Sequence, residues 1–432
     1  MTSGGEKTTS TVWILTTPHQ QHLRIWGLSP VERIRRTLRA AGVNETQIKS
    51  GSVAEITAAG PSIVVLRADY VFDGRLIHAL LSATNTILVP AETTEGSSRS
   101  SAVAAHVPAT RLAEILPLLS NDGQPDARGR LEEVQYVVPT ELVPAYSATL
   151  RKADPPYLFP LHEDSTVIEE RIFAAAYKGI TDLVTKWVWP RPARVVVQWC
   201  VAAGVTPNMV TVLSWLLVIL VTWLFLRGQF GLGLVLAWLM TFLDTVDGKL
   251  ARVTLSSSRI GHVLDHGLDI LHPPFWYLAW AMGLFFTAGI ADTATSPLGM
   301  EVYAWVRPAA MIAVAGYIVG RLLEGIFLLV FKMEIHCWQP IDAFFRTITA
   351  RRNPNLLLLT TATLFGRPDV GLLLVALWTL GSIGFHSVRL MQALVQKWQG
   401  RPIQVWQEPH RVKAEVSEGT KKEPPHRSES WA

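Results

Sequence analysis

Asp244-Thr-Val-Asp247-Gly-Lys-Leu-Ala-Arg252 is followed, after eight intervening residues, by Gly261-His-Val-Leu-Asp265-His-Gly-Leu-Asp269, inside a region of long apolar runs. Carboxylates at membrane depth are costly and are therefore candidates for a functional site. Asp244 and Asp247 lie three residues apart on one helix face, and Asp265 and Asp269 lie four apart on another. Two facing helices would bring the four carboxylates together, which predicts a site for a pair of divalent cations.

These residues resemble the signature of the CDP-alcohol phosphatidyltransferase family, D-x2-D-G-x2-A-R-x8-G-x3-D-x3-D. Its fixed positions are matched by Asp244, Asp247, Gly248, Ala251, Arg252, Gly261, Asp265 and Asp269. The resemblance covers the membrane half of the chain. It implies transfer of a phosphatidyl or phosphoalcohol group from a CDP-linked donor, CDP-diacylglycerol or a CDP-polyol, to a hydroxyl acceptor, with release of CMP. A polyol or polyol-phosphate acceptor is favoured by analogy.

The resemblance also implies roles for individual residues. The metal ligands, for two Mg²⁺ or Mn²⁺ ions, are Asp244, Asp247, Asp265 and Asp269, and Asp269 is the expected general base. The expected nucleotide and donor contacts are Pro207, Asn208, Thr211, Gly248, Ala251, Arg252, Ser258 and Gly261. For the first three, helix capping is the alternative interpretation. Arg321, Arg351 and Arg352 are expected to bind a phosphorylated acceptor, as in related inositol-phosphate enzymes; a local ion pair with Glu324 is the alternative for Arg321.

The composition predicts an integral membrane protein, since 49% of residues are hydrophobic and only 17% are charged. Six spans are expected, at about 208–227, 230–253, 260–288, 304–332, 341–365 and 368–396. Lys and Arg flank alternate connections, and residues 289–302 contain neither, so both termini and the aspartate motif are expected on the cytosolic side. No clustered basic and aromatic motif indicates nucleic acid, and Cys200 and Cys337 have no zinc or redox spacing.

The N-terminal half alternates short apolar strands with helices, which predicts a soluble three-layer α/β domain. It faintly resembles the sugar-phosphate nucleotidyltransferase fold, found in bifunctional inositol-phosphate cytidylyltransferase/di-inositol-phosphate-phosphate synthase proteins. That fold needs a glycine-rich loop after its first strand, but Thr17-Pro-His-Gln-Gln-His22 has no glycine. Asp69 follows the second strand as a candidate metal ligand or a plain turn residue. We therefore expect a degenerate, inactive nucleotidyltransferase-like domain.

The expected organisation is multi-domain, with an all-α six-helix membrane domain following the α/β domain. The boundaries are 1–150 for the soluble domain, 151–206 for a linker with an amphipathic helix at 167–189, 207–397 for the membrane domain and 398–432 for a polar tail. Two other functions stay open: a bifunctional enzyme with an active cytidylyltransferase domain, and a membrane ion carrier or non-catalytic scaffold. A homodimer is usual in the family.

Overall fold

The computed structural model describes residues 10–16, 22–91, 102–119, 133–161, 164–256, 259–288 and 301–408. An N-terminal mixed α/β domain is followed by a helical membrane domain. The strands are β1 Thr11–Leu15, β2 Ile48–Gly51, β3 Ser62–Arg67, β4 Tyr70–Phe72, β5 Thr86–Leu88, β6 Ala104–Pro108, β7 Gln135–Val137, β8 Tyr146–Ser147, β9 Lys152–Ala153 and β10 Leu158–Pro160. The helices of this domain are α1 Pro30–Ala40, α2 Gly74–Ser82, α3 Leu112–Leu119 and α4 Pro139–Leu142.

The main sheet has six strands in the order β2-β1-β3-β6-β5-β7. Strand β6 is antiparallel to both of its neighbours, while the other pairs are parallel. Alternate residues of β1 point to opposite faces: Val12 and Ile14 pack with α1 and α2, while Trp13 and Leu15 pack with α3. Helices therefore cover both faces of the sheet, as the three-layer prediction required.

The soluble domain extends further along the chain than residue 150, because β10 pairs antiparallel with β4.

The segment that follows β10 also differs from the prediction of one amphipathic helix over 167–189. Helix α5 Ser165–Ala175 is followed by a loop, and a single π-helical turn, Val184–Val188, precedes α6 Pro190–Ala202. Asp182 explains this break, because its carboxylate accepts hydrogen bonds from the backbone amides of Val184 and Thr185 and starts a new turn.

The membrane domain contains helices α7 Pro207–Leu226, α8 Phe230–Val253, α9 Arg259–Ala288, α10 Val302–Phe331, α11 Pro340–Ile348, α12 Arg352–Leu364 and α13 Pro368–Trp398. Among the described residues four helices are long and apolar enough to cross a membrane: Pro207–Leu226, Phe230–Val253, Ala304–Phe331 and Pro368–Trp398. The protein is thus an integral membrane protein. Helix α9, with 30 residues, also has the length of a span.

The predicted span at 341–365 is wrong as one continuous helix, because α11 and α12 are separated at Thr349–Arg351. Pro354 favours the break, because proline lacks an N–H and is best accommodated in the first turn of a helix, where it lies in α12. Helix α13 satisfies backbone groups at the break. The Ser382 hydroxyl accepts from the Ala350 amide at 3.0 Å, and the Trp378 indole donates to the Ile348 carbonyl at 2.7 Å.

The soluble domain docks on the C-terminal end of α8. An apolar cluster spans the junction and includes Trp26 and Val71 from the soluble domain and Leu250 and Val253 from α8. Two arginines of α1 reach the last carbonyls of α8. Arg33 donates to the Val253 oxygen and Arg36 donates to the Thr254 oxygen, both at 2.8 Å. The end of the aspartate-bearing helix is therefore held by the soluble domain.

Candidate functional site: a basic cavity beside the aspartate motif

Asp247 is fixed by a hydrogen bond from the neighbouring helix. The Thr211 hydroxyl on α7 donates to Oδ2 of Asp247 at 2.7 Å, and the Asp247 side chain is buried. Thr206 is the N-cap of α7 and accepts from the amide of Met209, with Pro207 in the first turn. The segment 206–211 thus caps its own helix, as the capping interpretation expected, and also orients a motif carboxylate.

Asp244 contacts a residue that the sequence analysis assigned to the acceptor pocket. Nη2 of Arg352, at the start of α12, lies 2.5 Å from Oδ2 of Asp244. The two predicted groups, metal ligands and acceptor-binding arginines, therefore meet at this ion pair. Carboxylate oxygens such as those of Asp244 and Asp247 are a donor type that suits Mg²⁺ or Mn²⁺.

Asp265 and Asp269 lie on successive turns of α9, and their side chains lie outside the described residues, as does Ser258. The backbone around them is fixed by α7. The Trp215 indole donates to the carbonyl oxygen of Leu264, next to Asp265, at 3.2 Å. Helix α7 thus contacts both motif helices, through Asp247 on α8 and through Leu264 on α9.

Gly248 leaves room for the side chain of Arg252. A Cβ atom built on Gly248 would lie 3.2 Å from Nη2 of Arg252, so the guanidinium group folds back over the glycine one turn earlier. Gly248 and Arg252 both line the cavity beside Asp244. Ala251 lies between them in the sequence of α8, and Gly261 lies in the first turn of α9. The two motif residues together set the shape of the cavity wall on α8.

The cavity beside Asp244 has a volume of about 210 Å³ and a strongly basic lining. Its basic residues are Arg151, Lys178, Lys249, Arg252, Arg321, Arg346, Arg351 and Arg352, and its acidic residues are Asp182 and Asp244. The excess of positive charge favours an anionic ligand. A cavity with this lining can receive several phosphate oxygens.

Arg321 and Arg351 share one carboxylate. Nη2 of Arg321 lies 2.5 Å from Oε2 of Glu324, and Nη2 of Arg351 contacts the same oxygen. The local Arg321–Glu324 pair expected as one interpretation is present. Both guanidinium groups nevertheless line the cavity, so the ion pair and the basic pocket coexist.

The segment between α5 and α6 contributes residues that sequence reasoning missed. Lys178, Thr181, Asp182 and Thr185 line the cavity. Burial disfavours the charged form of Asp182, but the charge of Arg346 and hydrogen bonds from Thr185 and Asn353 outweigh it, so the pKa of Asp182 is lowered. The charged residues inside 167–189 were visible in the sequence, but a surface helix explained them equally well.

In the soluble domain, Asp69 forms an ion pair with Arg67, which donates from Nε to Oδ1 at 2.9 Å and from Nη2 to Oδ2. The carboxylate is therefore engaged by the chain's own guanidinium group. The loop 17–21, where a phosphate-binding loop would lie, is outside the described residues.

Comparison with known proteins identifies the helical region. Residues 204–350 match the model of the family CDP-alcohol phosphatidyltransferase. The archaetidylinositol phosphate synthase of Pyrococcus horikoshii is 27% identical over 175 residues, which are 40% of this chain and 77% of that protein. The crystal structure of Mycobacterium tuberculosis phosphatidylinositol phosphate synthase with CDP-DAG bound is 18% identical, covers 46% of this chain and 94% of that one, and has a TM-score of 0.35. The C-terminal membrane region of this chain belongs to the CDP-alcohol phosphatidyltransferase family, and the protein is a transferase of that class.

Proposed function

We propose that this transferase passes a phosphatidyl or phosphoalcohol group from a CDP-linked donor to a polyol phosphate. The observation that carries the proposal is the basic cavity next to Asp244, which has far more positive charge than one pyrophosphate requires. A phosphorylated acceptor would account for the remainder. The named activity of the Pyrococcus horikoshii relative, archaetidylinositol phosphate synthesis, agrees with an acceptor of this kind.

The proposed reaction needs charge neutralisation and removal of one proton. The acceptor hydroxyl oxygen attacks the β-phosphorus of the donor, the bond from that phosphorus to the bridging oxygen breaks, and CMP leaves with the electron pair. Asp244, Asp247, Asp265 and Asp269 would hold two divalent ions, which supply charge neutralisation on the pyrophosphate. Asp269 would take the hydroxyl proton. Thr211 would orient Asp247 through its hydrogen bond.

Donor recognition is proposed for the residues around the motif. They are Pro207, Asn208, Thr211, Gly248, Ala251, Arg252, Ser258 and Gly261. Support comes from Arg252, whose planar guanidinium group lines the cavity and can donate to two phosphate oxygens. The small Gly248 keeps that group close to the helix.

Acceptor recognition is proposed for Arg321, Arg351 and Arg352. All three line the cavity, and Glu324 holds the first two in fixed positions. We expect Arg321→Ala to raise the acceptor KM while the donor KM stays unchanged. A change in donor KM alone would show that Arg321 serves the nucleotide side. Exposed Arg191→Ala, in α6 outside the cavity, is the matched control and should change neither constant.

The reaction itself is tested by CMP release from the purified, detergent-solubilised protein. Mg²⁺ or Mn²⁺ would be supplied with CDP-diacylglycerol or CDP-inositol and a panel of polyols and polyol phosphates. We expect release that requires metal and one phosphorylated acceptor and that is lost in Asp265→Ala. Equal release with the unphosphorylated polyol would contradict the acceptor class. Asp269→Asn should keep CDP and metal binding but lose transfer.

We further propose that the soluble domain is an inactive, nucleotidyltransferase-like module and that six segments span the membrane with both termini in the cytosol. The Arg67–Asp69 ion pair supports the first point, because it occupies the candidate metal ligand. CTP turnover by the full chain, surviving in Asp244→Ala but lost in Asp69→Ala, would instead establish a second active site.

A further inference from the structure

Two histidines and a glutamate meet inside the membrane region, outside the aspartate signature. Glu324 lies on α10, His336 lies in the 3-10 turn Ile335–Cys337, and His386 lies on α13. One potential ligand atom from each side chain lies within 4.8 Å of those of the other two. Three separate elements of the fold therefore direct nitrogen and carboxylate donors to one point.

Both histidines are buried and have an unsatisfied ring nitrogen. His336 and His386 are each 2% exposed. Within the part of the chain that the structure describes, Nε2 of neither residue forms a hydrogen bond of good geometry, and the nearest acceptor to that of His336 is Glu324 at 3.4 Å. A buried polar atom without a partner is destabilising, so two such atoms beside one carboxylate indicate that a ligand belongs between them.

The spacing is close to that of a metal site. Nε2 of His336 lies 3.4 Å from Oε1 of Glu324. Two donors of a tetrahedral zinc ion, each at roughly 2.1 Å from the metal, are about 3.4 Å apart. The side chain of His386 would need only a small adjustment to complete the triangle. The other oxygen of Glu324, Oε2, contacts Arg321 and Arg351, so Oε1 is the oxygen on the side of His336.

A small cavity lies next to the cluster and offers room for a fourth ligand. It has a volume of about 20 Å³ and is lined by Glu324 and His386 together with the polar Thr349 and Ser382. About 10–15 Å³ is enough for one water molecule.

We propose that Glu324, His336 and His386 bind a zinc ion through Oε1 and the two Nε2 atoms, with water in the fourth position. Two imidazoles and one carboxylate favour zinc over Mg²⁺, which prefers oxygen ligands only. The ion would fix Glu324, whose other oxygen holds Arg321 and Arg351 in the wall of the basic cavity. The two guanidinium groups disfavour a nearby cation, so we expect a weaker affinity than in a site without them.

The test is the zinc content of the full-length, detergent-solubilised protein after incubation with ZnSO₄ in excess Mg²⁺, which occupies oxygen-ligand sites. Gel filtration followed by plasma mass spectrometry should give one zinc per chain. His336→Ala and His386→Ala should lose it, while the control His78→Ala, an exposed histidine of the soluble domain, should keep it. The zinc content of these variants can be measured whether or not the protein catalyses the proposed transfer reaction.

His386→Cys distinguishes direct ligation from an effect on folding. A thiolate is also a zinc ligand, so this variant should retain the metal and, with Co²⁺, should show a sulfur-to-cobalt charge-transfer band that the wild-type protein lacks. Zinc-free wild-type protein, zinc content in the two alanine variants equal to that of the wild type, or absence of the band in His386→Cys would each overturn the proposal. If the alanine variants do not fold, the zinc content of the wild type and the cobalt band of His386→Cys still test the proposal.

Discussion

The contact between α1 and the end of α8 allows a matched experiment on two neighbouring arginines. Arg33 and Arg36 donate through the same atom type, over the same 2.8 Å, to consecutive backbone carbonyls. They differ in burial: Arg33 is 5% exposed, whereas the side chain of Arg36 is 31% exposed. Substitution of each by methionine removes the donor and retains most of the apolar stem.

The expected magnitudes follow from that difference. Loss of a buried, charge-assisted hydrogen bond costs about 1.5–3 kcal/mol, while loss of one that water can replace costs about 0.5–1 kcal/mol. At about 1.4 kcal/mol per factor of ten, Arg33→Met should increase local opening at the end of α8 about 10- to 150-fold. Arg36→Met should increase it about 2- to 5-fold.

Hydrogen–deuterium exchange of the peptide covering 246–254 measures this opening, because amides in the last turn exchange when the helix end frays. Exchange in the strand Ser62–Arg67 serves as the control and should stay unchanged in both variants. Equal increases in the two variants, or a larger one for Arg36→Met, would refute the argument from burial. A large effect confined to Arg33→Met would show that the soluble domain stabilises the aspartate-bearing helix.

Three further perturbations have defined outcomes. Thr211→Val removes the hydrogen bond to a motif carboxylate and should weaken Mg²⁺ activation of CMP release about 10- to 100-fold, whereas Thr211→Ser should retain it. Gly283→Ala would place a Cβ 1.9 Å from a carbonyl oxygen of α7 and should lower stability by about 3 kcal/mol in thermal unfolding, unlike Gly231→Ala, where no atom lies within 4 Å. The folded pKa of Asp182 is lowered, so its contribution to stability is present above the ordinary value of 3.8 and is lost as the pH falls through the folded value. Asp182→Asn should therefore be less stable than wild type at neutral pH, and the difference in unfolding midpoint should shrink in acid.

Hydropathy predicted the long membrane helices well, since the observed ends of α7, α8, α10 and α13 fall within two residues of the expected ones. Each is a continuous apolar segment of the length that a bilayer requires, so local sequence is sufficient. The strands at 11–15, 62–67 and 86–88 are short apolar runs, in line with the expected alternation of strands and helices in the N-terminal half. The short strand at 48–51 was missed because its polar residues carry little pattern of their own.

The lining of the cavity was less predictable for a different reason. Arg151, Lys178 and Arg346 come from segments far apart in sequence and meet only after the helices pack. Arg151 and Lys178 are lone basic residues in the predicted linker and have no spacing signature. Arg346 lies inside the predicted fifth span, but its place in the cavity wall depends on how the helices pack. Glu324 illustrates the same point: its local partner was predictable, while its contact with Arg351 depends on the fold.

The interruption of the fifth predicted span has a consequence for biogenesis. At about 1.5 Å per residue, the nine residues of α11 reach roughly 14 Å and the thirteen of α12 roughly 20 Å, so neither crosses a hydrocarbon core of about 30 Å alone. The non-helical backbone between them cannot be left without hydrogen-bond partners in lipid. Its polar groups find partners on α13, which is synthesised later. This segment should therefore enter the bilayer only together with the last helix, as the final step of assembly during translation.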